Sequence, residues 1–215
     1  MRTGASVGIF AKYLARRDSK AAGIVGCGVQ ARTSLMALVE TLPEFTAVKC
    51  YDLYPEAVQR FMDEMGKIFP RLDFIACNSP AAVCKGTDVI VSAIPIVTKP
   101  VPPLQAGLLK EGGLAVSLDY NSAWSSVAMK ECDKFVSDDV GQLLSTKEHG
   151  IYFSGIPDRI YADLGELAAG KKPGRQNSRE RIFSMNMGIA VDDMVTAKAL
   201  YRKAVERGIG IKFPL

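Results

Sequence analysis

The sequence has few of the residues that mark several common classes of protein. Its 215 residues include one histidine, His149, and five cysteines without a Cys-x-x-Cys pair. A single histidine argues against a His-based metal site or a Ser-His-Asp triad, so we expect no bound metal. An odd number of cysteines, in or beside apolar runs, indicates buried thiols in a reducing compartment rather than a disulfide framework.

Strong net charge and long apolar runs are also lacking. Lysine and arginine number 27 against 23 acidic residues, and the basic residues are dispersed. We therefore expect no nucleic-acid partner. No run of about 18 apolar residues could span a membrane, and the N-terminus has no signal-peptide core. These absences predict a cytoplasmic protein without a membrane partner.

A short apolar run that ends in glycines is the most informative motif present. Residues 21–25 lead into Gly26-Cys27-Gly28, and an amphipathic pattern over residues 29–42 follows. A strand that ends at Gly-x-Gly-x-x-Ala and opens a helix is typical of a dinucleotide-binding loop. Gly26 would permit the tight turn, and Gly28 would let the backbone approach the phosphates. The anion would lie on free N–H groups at the start of the helix.

The next predicted strand ends in an acid. Asp52 follows residues 47–51, and such a carboxylate accepts hydrogen bonds from the adenosine ribose. It would repel a 2′-phosphate, and neither Leu53 nor Tyr54 supplies positive charge, so NAD is favoured over NADP. The alternative is that Asp52 is a surface acid that caps a helix beginning near Pro55.

Strand-like and helix-like segments alternate through the first two thirds of the chain. The pattern predicts a doubly wound parallel α/β sheet, a Rossmann-type domain over residues 1–180. A long helical pattern over residues 181–208 predicts a separate C-terminal segment, residues 181–215. Predicted strands lie at residues 23–25, 47–51, 73–77, 88–92, 114–118 and 134–136, and helices at 5–16, 29–42, 55–69 and 80–85. Ligands in such sheets bind beyond the carboxyl ends of the strands, where Ser92 and Asp119 stand.

Several sequence blocks, in order, resemble the ornithine cyclodeaminase/mu-crystallin family. They are Arg2-Thr3-Gly4-Ala5, Gly26-Cys27-Gly28-Val29-Gln30-Ala31, Asp163-Leu164-Gly165-Glu166, Gly170-Lys171-Lys172-Pro173-Gly174-Arg175 and Gly188-Ile189-Ala190-Val191-Asp192-Asp193. The resemblance implies an NAD-binding Rossmann domain. It also implies that the helix after residue 181 belongs to a substrate and dimerisation domain, and that the full-length protein is a homodimer.

The resemblance also implies roles for individual residues. Asp119 would be the catalytic acid/base, and its alternative is a loop or capping acid. Arg2 would bind the substrate carboxylate and contact the cofactor, with Met187 also at the substrate; without the resemblance Arg2 reads as a solvated arginine. The remaining cofactor contacts would be Thr3, Gly26, Gly28, Val29, Gln30, Asp52, Ser92, Ser117, Leu118 and Asn186.

Three departures from the family pattern bear on these expectations. The run after Leu118 lacks the Pro-Gly-Lys of members that cyclise ornithine, and Asn186 replaces a cofactor-contacting serine. Roughly a hundred family residues precede the element that begins here at Arg2, so we expect an N-terminally truncated member.

The expected substrate is a small amino acid or cyclic imine, with hydride transfer at its α-carbon. The resemblance leaves three activities open. They are an ammonia-releasing cyclodeaminase, a ketimine reductase or amino-acid dehydrogenase with net redox, and a mu-crystallin-like dinucleotide-binding protein without turnover.

Overall fold

The computed structural model describes residues 1–150, 152–211 and 213, and within them one sheet of eight strands forms the centre of the molecule. The strands are β1 (Ala21–Val25), β2 (Ala47–Tyr51), β3 (Asp73–Ala76), β4 (Val89–Ser92), β5 (Leu114–Ser117), β6 (Lys134–Ser137), β7 (Ala162–Asp163) and β8 (Ile182–Met185). All pairings are parallel, in the order β3-β2-β1-β4-β5-β8-β6-β7. The predicted doubly wound Rossmann-type fold is confirmed.

Helices connect the strands. They are α1 (Arg2–Leu14), α2 (Val29–Thr41), α3 (Pro55–Ile68), α4 (Pro80–Cys84), α5 (Ser126–Lys130), α6 (Val140–His149), α7 (Leu164–Ala168) and α8 (Ala190–Glu206). Among the helices that the structure describes, none is both long and apolar enough to cross a bilayer.

Alternating residues of the central strands pack into two hydrophobic cores. In β4, Val89 and Val91 join a core with α1 and α2, whereas Ile90 joins a second core around Trp124 and Phe183. Successive side chains of a strand point to opposite faces of the sheet, so a strand covered on both faces reads as a continuous apolar run. This explains why β4 and β5 are recognisable in the sequence.

The strand order reverses beside β1. The chain runs outward from β1 through β2 to β3, and then returns to place β4 on the other side of β1. The loops that leave β1 and β4 therefore diverge and open a crevice at the carboxyl ends of the strands. Ligands of doubly wound sheets bind in this crevice.

The predicted helix over residues 181–208 is wrong at its start. Ile182–Met185 form β8, which pairs with β5 and β6 and is buried at every position. The helix begins only at Ala190. A four-residue apolar run cannot be assigned to a strand or a helix by periodicity, and here it adjoins a helical pattern. The predicted helix therefore includes it. The predicted boundary at residue 180 therefore cuts through the sheet, and residues 212, 214 and 215 of that segment lie outside the described residues.

Two of the shorter helices begin with an acidic cap. α7 opens with a capping box between Asp163 and Glu166. α6, which ends at His149, is capped by Asp139. Both caps follow the usual pattern of an acid whose side chain accepts a backbone N–H three residues later.

Candidate functional site

The glycine loop has the geometry that each glycine was expected to provide. Gly26 has a positive φ of +92°, and a Cβ there would lie 2.5 Å from the carbonyl oxygen of Ala93. Gly28 caps the start of α2, and a Cβ on it would meet nothing within 4 Å. Gly26 is thus required by the backbone itself, whereas Gly28 leaves space on the open side of the loop.

The first turn of α2 is exposed and lacks a side-chain cap. Gly28 contributes no side-chain hydrogen bond, and Val29 is 74% exposed with Gln30 exposed beside it. No acidic residue lies in this turn. The N–H groups at the positive end of the helix are therefore available to an anion.

Asp52 lies directly across from the glycine loop. Its Oδ2 accepts a hydrogen bond of 2.7 Å from the N–H of Cys27, and its Oδ1 accepts one of 3.1 Å from Tyr54 N. Tyr54, not Asp52, occupies the N-cap position of α3. A carboxylate has about four acceptor sites. Asp52 can therefore hold the loop and still accept ribose hydroxyls.

A cleft of about 1140 Å³ opens between the loops after β1, β2 and β4. Gly26, Gly28, Val29 and Asp52 line it, together with the loop that follows Ser92. Part of the apolar lining comes from that loop and its continuation, namely Ala93, Ile94, Pro95, Val97, Val101 and Pro103. The volume of the cleft suits a large organic ligand.

Three charged residues of the cleft, Arg32, Arg60 and Glu64, are not among the site residues predicted from the sequence. Arg32 donates to the carbonyl oxygens of Cys27 and Gly28 at 2.7 and 2.9 Å and pairs with Glu64. Arg60 lines the cleft one helical turn before Glu64. Positive charge near Asp52 therefore comes from α2 and α3 rather than from the residues after β2. Arg60 and Glu64 are four residues apart, so the sequence indicates that they share a helix face. Their approach to α2 depends on how the two helices pack, which the sequence does not show.

Asp119 is fully buried behind the cleft wall. Ser92 Oγ and Ser117 Oγ donate to its Oδ1 at 3.0 and 2.7 Å, and Ile94 N donates to its Oδ2 at 3.0 Å. Burial raises the pKa of this carboxyl to about 6, against the opposing effect of these hydrogen bonds. Ile94 lines the cleft, but Asp119 does not. The residue predicted to be the acid/base is therefore hydrogen-bonded to a residue of the cleft lining but does not line the cleft itself.

Asn186 and Thr3 belong to a buried hydrogen-bond chain next to β5. Asn186 N donates to Ser117 O at 2.9 Å, and its side-chain amide donates to Ser6 Oγ at 3.2 Å. Ser6 Oγ in turn donates to Thr3 O at 2.8 Å. The amide of Asn186 is therefore engaged within the protein, and its effect is to join the end of β8 to the start of α1.

Arg2 lies at the start of α1, outside the cleft lining. Its Nε donates to Asp193 Oδ1 at 2.7 Å, and its guanidinium packs against Gly188. Met187, half-buried, adjoins Gly188 in the chain. Leu118 is half-buried at the end of β5, where its N–H donates to Ser92 O at 2.9 Å.

The predicted residues therefore gather at one edge of the sheet but in separate groups. The first lines the cleft, the second is the buried Ser92–Ser117–Asp119 group behind it, and the third surrounds the start of α1. All three groups lie at the carboxyl ends of parallel strands or at the helix termini beside them.

Comparison with known proteins places this arrangement in a family. The family model described as the ornithine cyclodeaminase/mu-crystallin family matches residues 1–208. The chain is 31% identical to N-((2S)-2-amino-2-carboxyethyl)-L-glutamate dehydrogenase of Staphylococcus aureus, covering 98% of this chain and 62% of that one. It is 32% identical to alanine dehydrogenase of Archaeoglobus fulgidus, covering 99% and 65%. The chain thus spans less than two thirds of the length of these curated relatives.

A solved structure of similar fold carries ligands. Delta(1)-pyrroline-2-carboxylate reductase of Thermococcus litoralis, in complex with NADH and L-proline, superposes with a TM-score of 0.84 at 32% identity. That match covers 99% of this chain and 66% of the reductase. Since the family model spans nearly every residue and the fold agrees, the chain belongs to the ornithine cyclodeaminase/mu-crystallin family.

Proposed function

We propose that this protein is an NAD-dependent enzyme that acts on a small amino or imino acid by hydride transfer at the α-carbon. The observation that carries the proposal is the cleft in which the uncapped start of α2 faces Asp52. The relatives are dehydrogenases and reductases of amino and imino acids, which supports the same chemistry.

The residues present fit a dinucleotide. The open space above Gly28 and the free N–H groups of the first turn of α2 would accept the pyrophosphate. Asp52 would accept the ribose hydroxyls, and the apolar loop after Ser92 would cover the nicotinamide end. When bound, NAD supplies the acceptor or donor for the hydride.

The substrate carboxylate is assigned to Arg2. A guanidinium presents several N–H groups in a plane that matches a carboxylate, and only the Nε of Arg2 is engaged by a described residue. The side chain is 31% exposed, so its remaining N–H groups can be reached. Met187 would contact the body of the substrate.

The proton is assigned to Asp119. A carboxyl with a pKa of about 6 can both hold and release a proton near neutral pH. Because the side chain is fully buried, it must become accessible before it exchanges a proton with a substrate. In this structure, Ile94 N and the two serine hydroxyls hold the carboxyl in place.

Binding without turnover is the second candidate, and one observation favours it. Asp119 does not line the cleft in this structure, so a dinucleotide could bind without meeting an acid/base group. The two candidates differ in whether NADH binding is accompanied by reaction.

Following NADH absorbance and ammonia release together separates these activities. L-Alanine, L-proline and L-ornithine would be tested with NAD, and pyruvate with ammonia and pyrroline-2-carboxylate with NADH. A net change in NADH concentration indicates a dehydrogenase or reductase. Ammonia release with no net change in NADH concentration indicates a cyclodeaminase. Tight NADH binding with neither supports the binding protein and contradicts the enzyme.

The assembly of the whole protein is also a proposal. None of the 17 residues of α8 is buried, and Met194, Val195, Tyr201 and Val205 are exposed along one of its faces. We assign α8 to the substrate and dimerisation domain of a homodimer, because an exposed row of large apolar side chains is typical of a surface that packs against another element. The five free cysteines support a reducing, cytoplasmic setting.

A further inference from the structure

The Arg2 side chain is held by a residue from the far end of the chain. Its Nε donates to Asp193 Oδ1 at 2.7 Å, and Asp193 lies in the first turn of α8. Side-chain exposures of 31% for Arg2 and 58% for Asp193 make this an ion pair that contributes little to stability. The pair joins the start of α1 to the start of α8.

Gly188 supports the same guanidinium from one side. Its φ is +89°, and a Cβ there would lie 2.2 Å from Nη1 of Arg2. The peptide is held at both ends, because Gly188 N donates to Asp138 Oδ2 at 2.5 Å and Gly188 O accepts from Gln142 Nε2 at 3.1 Å. A side chain at position 188 would therefore displace Arg2.

The terminal nitrogens of the guanidinium lie against Gly188. Among the described residues, however, neither Nη1 nor Nη2 of Arg2 has a hydrogen-bond partner. Asp138 and Asp192 lie on neighbouring elements, and Asp138, Arg2 and Asp193 all act on the pKa of Asp192, which burial raises. The surroundings of Arg2 are thus acidic, and its two terminal nitrogens have no hydrogen-bond acceptor in the part of the chain that the structure describes.

We infer that Asp193 is a positioning residue for Arg2, which directs the Nη1 and Nη2 edge toward the substrate carboxylate. The inference rests on the proposed role of Arg2. It makes the first turn of α8 part of the substrate site, and so couples carboxylate recognition to the placement of this helix. An arginine held at Nε presents its two terminal nitrogens as a fixed fork, which lowers the cost of ordering it on binding.

A positioning role for Asp193 and direct charge repulsion by Asp193 predict opposite effects of Asp193→Asn on substrate binding. A carboxylate at position 193 repels a substrate carboxylate, so if charge alone mattered, Asp193→Asn would tighten substrate binding. If Asp193 orients Arg2, the same change weakens binding because the fork loses its fixed direction. The sign of the effect therefore decides between them.

The test uses the NADH-saturated full chain with L-proline and L-alanine as carboxylate probes. Calorimetry with NADH gives the Kd of each probe in a complex that cannot react, because cofactor and probe are both reduced. Steady-state assays with NAD in place of NADH give KM and kcat where turnover occurs. We expect Asp193→Asn to raise the Kd and KM of the probe about tenfold, the scale of one charge-assisted hydrogen bond. The Kd of NADH should not change, and Asp193→Glu should recover part of the loss.

Glu44→Gln is the matched control, since Glu44 is 60% exposed against 58% for Asp193 and pairs with Lys20 at 2.6 Å. It should leave every constant unchanged. In an Arg2→Ala background, Asp193→Asn should no longer weaken probe binding, because the residue that it positions is gone.

Failure of the inference and failure of the proposed function give different results. Arg2→Ala could weaken probe binding while Asp193→Asn leaves it unchanged or tightens it. That result would overturn the positioning role of Asp193 and support the assignment of Arg2 to the substrate carboxylate. If Arg2→Ala has no effect on either probe, or if neither probe binds the wild-type protein, the assignment of Arg2 fails and the inference with it.

Discussion

The backbone N–H of Cys27 donates a hydrogen bond of 2.7 Å to Oδ2 of Asp52, joining the glycine loop after β1 to the end of β2. The two residues are 25 positions apart. The bond ties the loop after β1 to the side chain that we propose as the ribose acceptor. A change at Asp52 therefore acts on the glycine loop as well as on the proposed ribose contact.

Asp52→Asn should weaken NADH binding about tenfold, because a neutral acceptor replaces a charged one. The preference for NADH over NADPH should also shrink, since the repulsion of a 2′-phosphate is removed and Arg60 remains in the cleft. Fluorescence titration with both cofactors measures this. Asp63→Asn on α3, outside the cleft lining, is the control. Equal NADH affinity in Asp52→Asn and wild type would rule out the ribose contact.

Gly26 and Gly28 should respond differently to alanine. Gly26→Ala should lower the free energy of unfolding by at least about 2 kcal/mol, because of its positive φ and the clash with Ala93. Gly28→Ala should cost no more than about 1 kcal/mol, the scale of an N-cap change, but should abolish tight NADH binding.

Urea unfolding and NADH titration of the two glycine variants separate these effects. Gly66→Ala, on α3 with nothing within 4 Å of its added Cβ, is the control and should alter neither cofactor binding nor the fold. NADH binding that survives in Gly28→Ala would place the phosphates elsewhere.

The buried carboxyl of Asp119 should make stability depend on pH. Its pKa of about 6 in the folded protein lies above the ordinary value of 3.8, so the folded state binds the proton more tightly. The stabilisation is present at low pH and is lost as the pH rises through 6. Relative to Asp119→Asn, the wild-type protein should lose about 2.5 kcal/mol between pH 4 and pH 8.

Urea unfolding at several pH values measures this difference. Asp158→Asn, at a fully exposed side chain, should run parallel to wild type. A difference between wild type and Asp119→Asn that stays constant with pH would mean that Asp119 titrates normally.

Turnover should depend on Asp119 if it moves a proton. Asp119→Asn should lower kcat at least about 100-fold without changing NADH affinity. Ser92→Ala removes one hydrogen bond to the carboxylate, so the pKa of Asp119 should rise and the pH–rate profile should shift upward with it. Full activity in Asp119→Asn would leave it a structural residue.

The parts of the fold that the sequence predicted are those with strong local signals. The sequence predicts β2 to the residue, and β4 and β5 to within one residue, because each run is mostly apolar and a polar side chain ends or follows it. The sequence does not predict β8, because its four residues are a strand only through pairing with β5 and β6. Asp139 and Asp163 cap helices that the sequence pattern does not predict.

The same distinction between local sequence signals and long-range packing applies to the residues of the site. The glycine loop and Asp52 could be predicted because they stand at fixed distances from one strand and its neighbour. The contact of Arg32 with Glu64 could not, because it depends on how α2 and α3 pack. Nor could the complete burial of Asp119, which depends on loops after two different strands.

The most direct test of the proposed function is transfer of deuterium from NADH that carries deuterium at both hydrogens of the nicotinamide C4. The labelled cofactor would be incubated with pyrroline-2-carboxylate and, separately, with pyruvate and ammonia, and the products analysed by mass spectrometry. Return of hydride to such an imine is a step common to the reductase and the cyclodeaminase. We expect deuterium on the α-carbon of proline or alanine, and none with Gly28→Ala. Absence of proline and alanine formation by a protein that binds NADH tightly would contradict hydride transfer and leave a dinucleotide-binding protein.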